Sequence, residues 1–208
     1  MLQIIPALLV AITVVIQCLA VQMSRYRLSR MNARPPHHGL ALMSGMLAAA
    51  AIILRLYQND SAVGVLFMTI MTGCMTLMTL TDAASCRLPR PFTIMYLISG
   101  SAFRLWQGDW LTGLCSAGFW FQLLLLFRQY TSYRRKTETI GLGDVFLIAG
   151  IAIWSPPGDI PWIVATAAGG ALLYLWCNRQ RRITRELPFG PFLCASQYAF
   201  TFYPGGLW

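Results

Sequence analysis

Long apolar segments separated by short polar ones dominate the pattern of this chain. A helix needs roughly 20 apolar residues to cross about 30 Å of hydrocarbon, and eight segments are candidates for such helices, the fourth and sixth being short. They are Leu2–Met23, Leu40–Tyr57, Ala62–Thr81, Pro91–Trp106, Trp110–Phe127, Gly143–Trp154, Ile160–Cys177 and Phe189–Tyr203. The pattern predicts an all-α bundle of about eight transmembrane helices in a lipid bilayer.

The composition agrees with a membrane protein. Of the 208 residues, 57% are hydrophobic and only 11% are charged, which is outside the usual range of a soluble domain. We expect residues 1–39 to form an N-terminal transmembrane helix and a basic cytoplasmic loop, and residues 40–208 to form one membrane-embedded domain. No segment is left over for a separate soluble domain.

The basic residues are distributed asymmetrically among the connections. The first, third, fifth and seventh connections hold fourteen of the sixteen Lys and Arg residues, and only Arg55 and Arg104 fall near the others. The positive-inside rule makes those four connections cytoplasmic, so both termini face outward. Topology explains the net charge of +9, and nucleic-acid binding is not expected. The arginines could also hold anionic lipid headgroups, although a solvated, orienting role is the simpler interpretation.

Cysteine and histidine do not form a recognisable metal-binding pattern. The six cysteines show no CxxC spacing and mostly lie in apolar runs, where cysteine acts as a small hydrophobic residue. His37 and His38 are adjacent, but no other ligand cluster accompanies them. We therefore predict no metal site.

Two of the seven acidic residues stand out by their position. Asp82 follows the third apolar segment and Asp144 begins the sixth, so both map to the cytoplasmic side. A carboxylate placed against the membrane marks a functional site by default. The other acids are assigned to solvated loops: Asp60, Asp109 and Asp159 outside, and Glu138 and Glu186 inside, where either glutamate could position a basic substrate.

Two carboxyl groups held close together can share one proton, so that one acts as a base toward water while the other polarises a carbonyl. The helix dipole favours an anion at the start of a helix and disfavours one at its end. We therefore expect Asp144 to be mainly ionised and Asp82 mainly protonated. The sixth helix, about 21 Å long from Gly141 to Trp154, is too short for a typical bilayer, which predicts either that Asp144 lies below the membrane surface or that the bilayer is thinned there.

Glycines and prolines flank the candidate acids. Gly141 and Gly143 would let an extended peptide approach Asp144, although a plain turn into a helix is the alternative. The run Pro188-Phe189-Gly190-Pro191 precedes the last helix and predicts a fixed turn beside the site, although a purely structural helix start is equally consistent with it.

Together these motifs are more specific than any one of them. Asp82 is followed by Leu88-Pro89, then by Gly141-Leu142-Gly143-Asp144, and finally by Glu186-Leu187-Pro188-Phe189-Gly190-Pro191-Phe192 before the last helix. In this respect residues 40–208 closely resemble the type IV prepilin peptidases, which are membrane aspartic proteases of the GxGD class.

The resemblance implies that Asp82 and Asp144 are a catalytic pair that needs no metal or organic cofactor. It also implies a multi-pass protein of the bacterial inner membrane that removes a short basic leader from prepilin or pseudopilin precursors at the cytoplasmic face. The motif positions expected to shape the site or position the substrate are Pro89, Gly141, Gly143, Pro188, Gly190 and Pro191.

Two features depart from the family pattern. Larger members carry paired CxxC motifs after the first helix, associated with methylation of the new pilin N-terminus, whereas residues 24–39 contain no cysteine. We therefore expect cleavage and regard methyl transfer as doubtful. The family also often has an acidic or amide residue where this chain has Arg90, which concerns substrate contacts and leaves Asp82 unaffected.

Two other functions are compatible with a small acidic membrane site. A transporter could use the aspartates for protons or cations, but its acids usually lie near the middle of the membrane in broken helices. A non-catalytic subunit of a pilus or secretion machine would keep the fold without the chemistry. The position of both acids at one face of the membrane favours the peptidase over the transporter, and the intact pair argues against the non-catalytic subunit.

Overall fold

The computed structural model describes residues 4–31, 38–57, 61–135, 141–177 and 187–202. These residues contain eight helices and no strand. The helices are α1 (Ile4–Arg30), α2 (His38–Tyr57), α3 (Ala62–Ser85), α4 (Arg90–Gln107), α5 (Trp110–Arg135), α6 (Leu142–Trp154), α7 (Ile160–Cys177) and α8 (Gly190–Thr201).

Three helices extend by at least one helical turn past the C-terminal ends of the apolar segments that predicted them. Helices α1 and α5 continue through arginines to Arg30 and Arg135, because arginine is a good helix former even where it ends an apolar run. Helix α3 continues to Ser85, so the expectation that Asp82 follows its last turn was wrong. The helix ends at Cys86, which has a left-handed backbone conformation (φ 49°). The N–H of Cys86 donates a hydrogen bond of 2.7 Å to the backbone carbonyl of Asp82.

Helix α3 is the central element of the bundle. It packs against α1, α2, α4 and α8, and every residue from Met71 to Asp82 is buried. A helix that is buried on all sides must lie in the interior of a helical assembly. Asp82, near the end of α3, therefore lies inside the protein rather than at its surface.

Helix α6 is the second interior helix. It lies against α4, α5 and α8, and its residues from Leu147 to Trp154 are all buried. Glycine permits its close contact with α4, because a Cβ on Gly150 would lie 2.5 Å from Cδ1 of Tyr96. The stacked rings of Phe103 and Trp154, 5.3 Å apart, strengthen the same contact.

The architecture confirms an all-α membrane protein. In the part of the chain that the structure describes, four helical segments are long and apolar enough to cross a membrane, and α2 and α6 contribute shorter apolar helices. The four are Leu8–Arg30, Ala62–Ser85, Trp110–Arg134 and Ile160–Cys177. Large apolar side chains such as Leu42, Leu172 and Trp176 are exposed on the outer helices, where lipid would cover them. A count of eight crossings, outward-facing termini and a division at residue 39 stay predictions.

Candidate active site

Asp82 is buried at the end of α3, with only 4% of its surface exposed. Its Oδ2 accepts a hydrogen bond of 2.8 Å from the backbone N–H of Gly190, the first residue of α8. A Cβ on residue 190 would lie 2.8 Å from the same oxygen. This contact therefore requires glycine, because any larger residue would push the helix away from the carboxyl group.

Asp144 lies in the first turn of α6 and is half-buried. Gly141 precedes this helix as its N-cap and provides no side-chain hydrogen bond, while its carbonyl accepts the N–H of Asp144 at 3.1 Å. Within the described ranges, no group donates a hydrogen bond to the Asp144 carboxyl. Its position in the first turn places it at the positive end of the α6 dipole.

Asp82 at the end of α3 and Asp144 at the start of α6 lie in the same part of the bundle, because the loop that follows α3 packs on Gly143. They reach this arrangement from helices that are far apart in sequence and enter the site in opposite directions. Two acids that interact in a largely buried setting do not readily carry two negative charges at once. The pair is therefore chemically suited to hold one shared proton.

The loop between α3 and α4 joins the two halves of the site. A Cβ on Gly143 would lie 2.7 Å from Cβ of Leu88, so this loop packs directly on the first turn of α6. Pro89 is the N-cap of α4, and its carbonyl accepts the N–H groups of Phe92 and Thr93 at 3.0 and 3.4 Å. The short loop that follows α3 therefore connects the helix that carries Asp82 to the first turn of α6, which carries Asp144.

The proline-glycine run before α8 forms the remaining wall. Phe189 is the N-cap of α8, and Pro191 lies in its first turn, where the absent N–H of proline costs no hydrogen bond. Pro188 precedes the cap in a non-helical segment. The run is thus a structural helix start and also borders the site, because Gly190 contacts Asp82.

The hydrogen bond from Gly190 favours a different protonation state of Asp82 from the one expected from the helix dipoles. A backbone N–H that points at a carboxyl oxygen favours its ionised form, so Asp82 has a stabilising partner that the dipole argument omitted. Sequence reasoning selected Gly190 for its backbone freedom and missed its role as a donor. The sequence feature that could have indicated this role is a glycine between two prolines at the start of a helix.

The other candidate groups do not add a metal site. Within the described parts of the chain, no three His, Cys, Asp or Glu side chains come together as a metal ion would require. Glu138 and Glu186, the glutamates considered for substrate positioning, lie outside the described residues.

Comparison with known proteins identifies the family. The model of the type IV leader peptidase family matches residues 69–176, which is more than half of the chain. The chain belongs to the type IV leader peptidase family. The part that matches this family contains Asp82, Leu88-Pro89 and Gly141 to Asp144, whereas the proline-glycine run at the start of α8 lies beyond it.

Two curated relatives agree with the leader peptidase family. Both are called prepilin leader peptidase/N-methyltransferase and come from Burkholderia pseudomallei, strains 1026b and K96243. Each is 30% identical to this chain over 174 residues, covering 79% of this chain and 53% of the relative. The chain therefore spans about half the length of the curated relatives it matches. No solved structure matches it.

Proposed function

We propose that this protein is a membrane aspartic endopeptidase that removes the leader from type IV prepilin or pseudopilin precursors. The observation that carries the proposal is that the end of α3, which bears Asp82, and the first turn of α6, which bears Asp144, meet through the loop at Leu88. Membership of the type IV leader peptidase family supports the reaction class, and the names of the curated relatives suggest the substrate class.

In the proposed mechanism, the two aspartates activate one water molecule. The ionised carboxylate removes a proton from the water, and the protonated one donates a hydrogen bond to the carbonyl oxygen of the scissile peptide. The N–H of Gly190 favours Asp82 as the ionised partner. This reverses the assignment that the helix dipoles suggest, and no covalent acyl-enzyme is needed.

The position of the pair favours a peptidase over a transporter. Asp82 lies in the last turn of α3 and Asp144 in the first turn of α6, so both are at one end of their helices. A cytoplasmic leader could reach them there without crossing the bundle. A proton or cation pathway would place such acids nearer the middle of the helices.

The proposal is limited to cleavage and to the inner membrane of a bacterium. The methyltransferase part of the relatives' name is not extended to this chain, because residues 24–39 lack the cysteine motifs expected for it. Mass spectrometry of the processed pilin tests this limit. An unmethylated N-terminus is expected, and a methyl group that depends on this protein would contradict it.

Co-expression with a candidate prepilin tests the cleavage itself. We expect the native protein to remove the leader and both Asp82→Asn and Asp144→Asn to lower the rate by about 10³-fold or more, because each loses a group essential for proton transfer. Precursor and product are separated by size and confirmed by N-terminal sequencing.

Asp109→Asn is the matched control, since this aspartate lies at the other end of the bundle and is about half exposed. It should cleave at the native rate. Full processing by either active-site variant would remove that residue from the catalytic pair. Failure of the native protein to process any prepilin would favour a non-catalytic assembly role.

A further inference from the structure

A groove runs along one side of the bundle where α1 faces α4. Helices α1 and α4 both pack on α3, but among the described residues no Cα atom of α1 comes within 8 Å of one in α4. The space between them contains two adjoining cavities of about 280 and 490 Å³. Met23 and Phe92 line both cavities, which therefore form one continuous feature, called here the α1–α4 groove.

The inner part of the α1–α4 groove is almost entirely apolar. Its wall includes Leu19 and Ala20 of α1, Gly73 and Leu77 of α3, and Met95 of α4. Gly73 has no side chain to fill the space, and a Cβ there would lie 2.6 Å from Cγ2 of Ile16. Leu19 and Met95 are about half exposed, so the groove opens toward the surrounding lipid.

The outer part of the same groove is cationic. It is lined by Tyr26, Arg27, Arg30 and Met31 together with Phe92. The Arg27 guanidinium lies 4.6 Å from the centre of the Phe92 ring, and that of Arg30 lies 5.0 Å from the Tyr26 ring. Stacking uses the faces of the guanidinium groups and leaves their in-plane N–H donors available.

Among the described residues, these two arginines also have no fixed counter-ion. No carboxylate in the described ranges lies within 4.0 Å of either guanidinium. Arg25, on the same helix, is different, because its Nη2 is 3.3 Å from Nδ1 of His38 on the other side of α1. The cationic end of the groove is therefore specific to Arg27 and Arg30.

We propose that the α1–α4 groove binds an anionic phospholipid, with an acyl chain against the apolar wall and the phosphate between Arg27 and Arg30. The combination of an apolar channel with two guanidinium groups at one end matches the two chemical parts of such a lipid. Arginine is also well suited to phosphate because its fork of N–H donors contacts two oxygens at once.

Other occupants fit the charges less well. The basic leader proposed as substrate would be repelled by Arg27 and Arg30. A zwitterionic lipid would bring its own cation beside the two guanidinium groups. The groove also lies on a different side of α3 from the active site, since Gly73 and Leu77 face the groove and Asp82 contacts Gly190 of α8. Lipid binding can therefore be tested independently of cleavage.

Native mass spectrometry of the detergent-purified protein measures this binding directly. Titration with phosphatidylglycerol should give a dissociation constant at least about tenfold lower than phosphatidylcholine with the same acyl chains, since each arginine near an anionic headgroup favours it. Glycerol phosphate, which carries the headgroup without acyl chains, should not compete at the same concentrations. These comparisons use the native protein and do not depend on a variant folding.

Variants then locate the site. Arg27→Gln combined with Arg30→Gln should weaken phosphatidylglycerol binding about tenfold and leave phosphatidylcholine binding unchanged. Arg25→Gln is the matched control, because it removes one charge from the same helix outside the groove, and it should bind like the native protein. Met95→Trp, which places a larger ring in the apolar wall, should weaken binding of both lipids.

Three results would overturn the proposal. Equal affinity for the two lipids would show an apolar surface without headgroup selectivity. Competition by glycerol phosphate alone would indicate a free-phosphate site. Unchanged phosphatidylglycerol binding in the double arginine variant, or an equal loss in Arg25→Gln, would place the lipid elsewhere on the protein.

Discussion

The two ends of α6 are held in opposite ways. At its C-terminal end, buried Arg104 of α4 donates from Nε to the Ile153 carbonyl at 2.7 Å and from Nη2 to the Ser155 carbonyl at 3.1 Å. At its N-terminal end there is no side-chain cap, and the helix approaches the loop at Leu88 because Gly143 has no side chain.

This difference separates an anchored end of α6 from the end that carries the proposed catalytic acid. A cation at the C-terminal end offsets the negative end of the helix dipole and satisfies carbonyl groups that α6 leaves unpaired. The other end depends on close backbone packing, which leaves the Asp144 carboxyl without a described hydrogen-bond donor. We infer that α6 is fixed at one end so that a reactive acid can be presented at the other.

The largest effect on stability is expected from Arg104→Met. Removing the guanidinium leaves two buried carbonyl groups without their donors, which should lower the free energy of unfolding by about 3 kcal/mol. Thermal unfolding in detergent micelles measures this change. Asp109→Asn removes only the 3.4 Å ion pair with Arg104 and should cost less than about 1 kcal/mol. Equal losses in the two variants would contradict the anchoring role.

A large effect on cleavage is expected from Gly190→Ala. The new Cβ would lie 2.8 Å from Oδ2 of Asp82, so the helix start and the carboxyl must separate. A displacement of this kind should slow leader removal about a hundredfold. Gly169→Ala is the control, because its Cβ meets no atom within 4 Å. Native-rate cleavage by Gly190→Ala would show that the Gly190 contact is not needed.

A smaller effect is expected from Gly143→Ala. Its Cβ would lie 2.7 Å from Cβ of Leu88, but Leu88 lies in a loop whose backbone is not held by helical hydrogen bonds and can therefore adjust more easily than a helix. We expect cleavage to slow about tenfold, since Asp144 moves with the first turn of α6. Gly45→Ala, which meets nothing within 4 Å, should retain the native rate. If Gly143→Ala slowed cleavage more than Gly190→Ala does, the proposal that the Gly190 contact matters more than the Gly143 contact would be wrong.

Sequence patterns were sufficient for the order of the helices, whereas the selection of Asp82 and Asp144 as the catalytic pair stays a prediction. The bounds of α7 agree with its apolar segment, and α6 differs from its prediction by one residue at its start. These features depend on local hydrophobicity, which the sequence displays directly. The end of α3 was predicted less well, because the apolar run stops before the helix does.

Contacts between distant residues were not predictable in the same way. The donor from Gly190 to Asp82 joins residues that only the packing of α3 and α8 brings together. Arg104 was noted only as an isolated arginine near an outer connection, and its partners Ile153 and Ser155 follow from the packing of α4 on α6. Periodicity identifies which face of a helix is apolar but not which backbone group a polar side chain will meet.

The central claim is that Asp82 and Asp144 act as one catalytic unit. The most direct test measures single-turnover cleavage of a prepilin by the purified native protein, by each Asp→Asn variant and by the double variant. If the two acids share one function, the double variant cleaves no more slowly than the slower single variant, because removing either acid already disables the pair. Independent losses that multiply in the double variant, or a near-native rate in either single variant, would contradict the claim.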